Sequence, residues 1–154
     1  MTDRDIIRLR LHHQQLIQPQ FETPGEIVKW MGAVQAQDYL HSLWGIGQRL
    51  NNSTEPFIEQ AIADKTMVRT WPMRGTLHFV APEDARWMLK HLTPRIIKKY
   101  DSMFRKEGLD KTVFSKSGKI FSNVLQGGKQ LTREELYDAL EKKKIPTSNT
   151  RGLH

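Results

Sequence analysis

The chain has 154 residues, 38% hydrophobic, 8% aromatic and 27% charged, enough apolar material for one real core and too much for a disordered or fibrous protein. Zero cysteines exclude a disulfide scaffold, a thiolate nucleophile and any cysteine-based zinc or iron–sulfur site. The net charge of +7 lies in the second half, since residues 1–81 carry eight basic and eight acidic residues and residues 82–154 carry sixteen and nine. Such asymmetry suits a polyanionic partner, because each phosphate neutralised releases counterions, although a basic, solvated helix surface fits it equally. No run of about 18 apolar residues occurs and no apolar stretch follows Met1–Asp5, so neither a membrane span nor a secretory leader is expected, and the expected address is cytoplasmic.

In chain order, a first helix is predicted over 3–17, begun by Thr2 and ended before Pro19. Thr23-Pro24-Gly25-Glu26 is a capping box with proline in the first turn, opening a second helix whose Ile27, Trp30, Met31 and Val34 share an inward face. Residues 42–50 read as a third helix despite Gly45 and Gly47, and 55–64 as a fourth. Between Thr66 and Val80 the period shortens to two around Pro72-Met73-Arg74-Gly75, which predicts a β-hairpin with Leu77 and Phe79 on one face and His78 on the other.

Pro82-Glu83-Asp84 begins a further helix, and two more are predicted over 94–106 and 110–126, before the break at Gly127-Gly128. Thr132 and Glu135 form a second capping box, opening a helix that ends on Lys142, Lys143 and Lys144, where cations suit the dipole. Residues 146–149 read as a turn into another helix that the chain does not complete, as in an amino-terminal piece of something longer. The fold class expected is mainly α with a β-hairpin. Helices followed by a hairpin give the order of a winged helix, here in tandem and truncated: 1–126 as the first domain with extra helices, 129–154 as the start of a second.

Common chemical signatures fail. Gly45-Ile46-Gly47 follows no strand and lacks a third glycine, and Gly127-Gly128-Lys129 is followed by Gln130 with Asn123 where a phosphate loop needs glycine. His12 and His13 are neighbours roughly 100° apart on a helix and cannot share a metal, so no metal site is expected. What remains is Val34-Gln35-Ala36-Gln37-Asp38-Tyr39 at the expected end of the second helix. Gln35 and Gln37 aim at one point only if the chain leaves helical geometry there; otherwise a polar pair at a helix end faces water.

The stretch Met31-Gly32-Ala33-Val34-Gln35-Ala36-Gln37-Asp38-Tyr39, then Leu43-Trp44-Gly45-Ile46-Gly47 and Val68-Arg69-Thr70-Trp71-Pro72-Met73-Arg74-Gly75-Thr76-Leu77-His78-Phe79-Val80, resembles the AlkZ-like DNA glycosylases. The resemblance covers essentially the whole chain. It implies tandem winged helices around a C-shaped cleft, excision of alkylated purines from double-stranded DNA, unhooking of N7-linked interstrand crosslinks, no cofactor, and a monomer. The family's catalytic box is Gln-x-Gln, or Gln-x-Asp in one subfamily, and by resemblance Gln35 and Gln37 are that box. Family chains are more than twice as long, so later domains and their DNA contacts are missing here.

Cleaving the bond to an N7-alkylated guanine needs little help to a leaving group that is already cationic; what is left is to place a water and stabilise an oxocarbenium-like sugar. A carboxamide is no useful base, but its oxygen accepts from the water and fixes it. Asp38 is the nearest ionisable group and reads as structural. Arg69 and Arg74 flank the turn, where wing arginines touch the DNA backbone, although plain exposed surface charge fits them equally, and His78 either contacts DNA near the cleft or satisfies a local hydrogen bond. Trp30, Trp44, Trp71 and Trp87 could stack on bases, yet Trp30, Trp44 and Trp87 fall within helical apolar patterns and read as core. Two competitors remain: a non-catalytic winged-helix DNA-binding protein or transcriptional regulator, which dimerises and reads sequence, and a protein-interaction scaffold, which shows no salt-dependent DNA binding.

Overall fold

A computed structural model describes residues 1–145 and 147 of the chain. These fall into two compact units, Met1–Ile97 and Lys98–His154. The expected turn at 146–149 and the helix beyond it lie outside the described residues, Thr147 excepted.

In the first unit, α1 (Asp3–His13) is opened by Thr2, whose hydroxyl accepts the Asp5 N–H while the Asp5 carboxylate accepts the Thr2 N–H. It stops short of the expected residue 17 because Gln15 turns left-handed (φ 58°) and its buried side chain accepts the Gln20 N–H at 3.0 Å. Helix α2 (Pro24–Met31) has the expected Thr23–Glu26 box but does not reach Val34. Gly32 ends it at φ 72°, where a side chain is strained, and the chain leaves in an extended direction as β1 (Val34–Gln35). That strand was not expected.

Helix α3 (Tyr39–Gly47) starts three residues before the expected 42 because Asp38 caps it, its carboxylate accepting the His41 N–H. Helix α4 (Glu55–Ala63) follows Thr54, and the expected hairpin forms as β2 (Val68–Met73) and β3 (Thr76–Val80), joined by Arg74 and Gly75, both at positive φ. The sheet order is β1-β3-β2, antiparallel throughout, with Val34 opposite Phe79, Val68 opposite Val80, and a register shift between Thr70 and Met73. Ile27 and Val28 of α2, Leu43 and Ile46 of α3, Ile58 and Ala61 of α4, Met67 and Phe79 form one buried cluster. At roughly 1.5–3 kcal/mol for each large apolar side chain buried, this cluster fixes the sheet against the three helices.

Phe79 and His78, neighbours on β3 and so on opposite faces as expected, are both buried. The tryptophans assigned to the core are on the surface: Trp30, Trp44 and Trp87 are 50%, 64% and 48% exposed. Two are tied down by their indole N–H, Trp30 to the His13 carbonyl at 3.0 Å and Trp87 to Asp84 at 2.7 Å. Their apolar spacing matched the core stripe, but the cluster is filled by aliphatic neighbours one position away, such as Leu43 beside Trp44.

The predicted helices at 82 and 94–106 are one, α5 (Pro82–Lys106). Pro94 removes one intrahelical donor, but the Lys90 carbonyl it would have served belongs to an exposed residue, within reach of solvent. In the second unit, α6 (Lys111–Val124) follows its Asp110 cap and α7 (Arg133–Glu141) its Thr132–Glu135 box. Tyr100, Phe104 and Phe114 stack in sequence, with ring centroids 6.3 and 5.7 Å apart, and α6 packs on α7.

Candidate functional site

The site is built where α2 gives way to β1. β1 ends at Gln35 and Gln37 stands in the bend just beyond it, both exposed, with Ala36 fully buried between them. The departure from helical geometry on which their convergence depended is present. Both carboxamides are exposed and line one open cleft of about 460 Å³.

Contacts from β3 and β2 hold the box in place. Gln35 pairs with His78 in the sheet, and the Ala36 N–H donates to the Leu77 carbonyl at 2.8 Å. The Gln37 Oε1 accepts the Leu77 N–H at 3.2 Å, so both backbone groups of Leu77 serve the box. From β2, Arg69 donates Nε and Nη2 to the Ala36 carbonyl at 3.0 and 2.7 Å, with the Gln37 carbonyl 3.5 Å from Nη2. The same guanidinium lies 5.4 Å from the Tyr39 ring centroid, and the Tyr39 hydroxyl donates to Glu59 at 3.2 Å. Burial, then that bond to Glu59, pushes the Tyr39 phenol above its ordinary pKa.

The DNA-contact residues expected from the sequence are thus placed differently from one another. Arg74 is exposed at the hairpin turn. Arg69 has its guanidinium occupied by the box. His78 is 3% exposed, and its Nδ1 lies 2.9 Å from the Thr76 carbonyl, which only accepts, so Nδ1 carries the proton.

Three further polar groups line the cleft, none singled out from the sequence. His41 sits in the first turn of α3 with Nδ1 2.8 Å from Asp38 Oδ2. The bonds from His41, backbone first, hold the Asp38 carboxyl below its usual range. Ser42 donates to the Tyr39 carbonyl at 2.6 Å. Arg49 donates to the Gly45 carbonyl and, at 3.1 Å, to Gln14, and has no carboxylate partner among the described residues; burial lowers its pKa. The one available sequence signal was Asp38 followed by a helix-like run, which marks a cap and brings residue 41 back beside it. Among the described residues no group of three His, Asp or Glu could hold a metal, and no helix is long and apolar enough to cross a membrane.

The solved structure of the Streptomyces sahachiroi DNA glycosylase AlkZ superposes with a TM-score of 0.74 at 24% identity, over 91% of this chain and 38% of that one. At that identity the likeness establishes the fold, and the chain spans about two fifths of that protein's length. No curated protein matches. The profile of the AlkZ-like DNA glycosylases matches residues 28–153, which include the whole Gln box and the hairpin, and the chain belongs to that family.

Proposed function

We propose that this chain carries the hydrolytic site of a monofunctional DNA repair glycosylase that removes alkylated purines, including N7-linked interstrand crosslinks, from double-stranded DNA. The observation that carries the reading is the pair Gln35 and Gln37: two exposed residues on either side of the clamped, buried Ala36, lining one cleft. The order α2-β1-α3-α4-β2-β3 supports a winged helix, with the β2–β3 hairpin as the wing and Arg74 at its tip a phosphate contact. Arg69 and His78 are otherwise engaged, and their placement lends no support to a direct DNA contact.

In this reading the lesion base leaves with the electron pair of its C1′–N9 bond, which neutralises its positive charge. The carboxamide oxygens accept from a water and aim it at C1′ as the sugar becomes oxocarbenium-like. Gln37 already uses one lone pair on Leu77, so its orientation is set before substrate arrives. The cleft lining contains no lysine among the described residues, which supports water over an amine as nucleophile and an intact abasic strand as product.

The test is single-turnover base release from a duplex bearing N7-methylguanine, using the full-length protein with Gln35→Ala and Gln37→Ala. Loss of more than about 100-fold in either variant, the scale of a lost positioning contact, is expected. No release by the unaltered protein, with salt-dependent DNA binding intact, overturns the reading in favour of a non-catalytic DNA-binding protein.

A further inference from the structure

Hydrolysis leaves one task that neither glutamine can perform: as the O–C1′ bond forms, the attacking water must lose a proton. Asp38, the nearest acid in sequence, is not free to take it. Its Oδ1 accepts the His41 N–H at 3.1 Å and its Oδ2 faces the His41 Nδ1 at 2.8 Å. A carboxylate in that position accepts the Nδ1 proton and so leaves the neutral imidazole with its lone pair on Nε2. The His41 side chain is 82% exposed and belongs to the same cleft as Gln35 and Gln37.

Resting on the glycosylase reading above, we propose that His41 is the proton acceptor of this site and that Asp38 orients it. The water held by Gln35 and Gln37 forms its bond to C1′ while the C1′–N9 pair leaves with the base. The water's proton passes to His41 Nε2 and from there to solvent. A nucleophile's base that is itself oriented by a third group is the general arrangement for activating a weak nucleophile.

No other side chain of the cleft competes for this role. From β1 and the residues after it come the neutral Gln35 and Gln37, and from α2 the neutral Met31. On α3 itself, Ser42 is committed to the Tyr39 carbonyl. Beyond the end of α3, Arg49 is a cation and holds no lone pair to offer. Glu59, on α4, is engaged with the Tyr39 hydroxyl.

Two substitutions separate this role from a structural one. His41→Ala removes an exposed side chain from a helix and should leave the fold intact. Asp38→Asn keeps the cap, since asparagine caps as well as aspartate, but presents an N–H to Nδ1 and so moves the ring proton to Nε2, which then cannot accept. In single-turnover release from N7-methylguanine duplex by the full-length protein, the unaltered rate should fall as pH is lowered from roughly 8 to 5, because a protonated acceptor cannot take the water's proton. His41→Ala should be about 100-fold slower at neutral pH and flat across that range, and Asp38→Asn should be slowed comparably while still binding the duplex normally.

Unchanged rate and an unchanged bend in His41→Ala overturn the assignment. So does a variant that binds DNA more weakly yet releases base at the normal rate once saturated, which would make His41 a phosphate contact. Failure of the unaltered protein to release any base sinks the glycosylase reading itself, and this assignment with it.

Discussion

The side chain of Gln37 acts as a piece of the sheet: its Oε1 accepts the Leu77 N–H at 3.2 Å, beside the Ala36 N–H donating to the Leu77 carbonyl at 2.8 Å. One residue therefore serves both the strand pairing and the cleft. Gln37→Ala should slow base release by at least about 100-fold and also lower stability by roughly 1 kcal/mol, the worth of one hydrogen bond. Gln37→Glu keeps the acceptor and should restore the stability. Urea unfolding of the three proteins checks this; equal midpoints would show that the Leu77 bond contributes nothing.

The two hairpin arginines should separate cleanly. Arg69 holds the Ala36 carbonyl with two donors, so Arg69→Ala should reduce the saturated rate at least about tenfold through a displaced box while leaving the salt dependence of DNA binding unchanged. Lysine, lacking the planar fork, should rescue it only partly. Arg74→Ala should do the reverse, reducing the slope of log affinity against log salt by about 1 with the saturated rate intact. Salt titrations beside single-turnover rates read both.

Acid should loosen the first unit through its caps. The side-chain bond from Thr23, then the backbone bonds, hold the Glu26 carboxyl below its ordinary value of 4.5, and the bonds from His41 lower Asp38. A carboxyl with a depressed folded pKa contributes stability that is fully present above its unfolded value and is lost as pH falls through the folded one. Stability should thus decline below about pH 4.5, and Glu26→Gln should show less of that decline than the unaltered chain. Thermal unfolding between pH 3 and 7 measures it. At neutral pH, Thr23→Ala should cost about 1 kcal/mol.

Gly32→Ala tests the turn that aims the box. At φ 72° an alanine is strained by roughly 1–2 kcal/mol even though its Cβ would meet nothing within 4 Å. We expect a lower urea midpoint together with a slower release rate, since the strain bears on the α2–β1 junction. A slower rate without loss of stability would mean that the junction shifted to relieve it.

The helices announced themselves by their caps: the boxes at Thr23–Glu26 and Thr132–Glu135 stand where local sequence puts them, because capping is settled within four residues. The hairpin was legible for the same reason, through its turn and its period of two. Strand β1 was not, since two residues carry no periodicity and their extended form is imposed by pairing with β3, more than forty positions away. That one pairing decides the site. It took Gln35 and Gln37 out of helical geometry and into the lining of one cleft, and it drew Arg69 onto the Ala36 carbonyl, a contact no local pattern encodes.

Four indoles at the surface also give the protein a particular optical behaviour. With Trp30, Trp44, Trp71 and Trp87 all between 41% and 64% exposed, the folded chain should emit near the wavelength of hydrated tryptophan, and unfolding should shift that emission little. Intrinsic fluorescence is then a dull reporter of folding but a sensitive one of anything that covers the surface, and quenching on addition of a duplex offers a label-free signal of encounter.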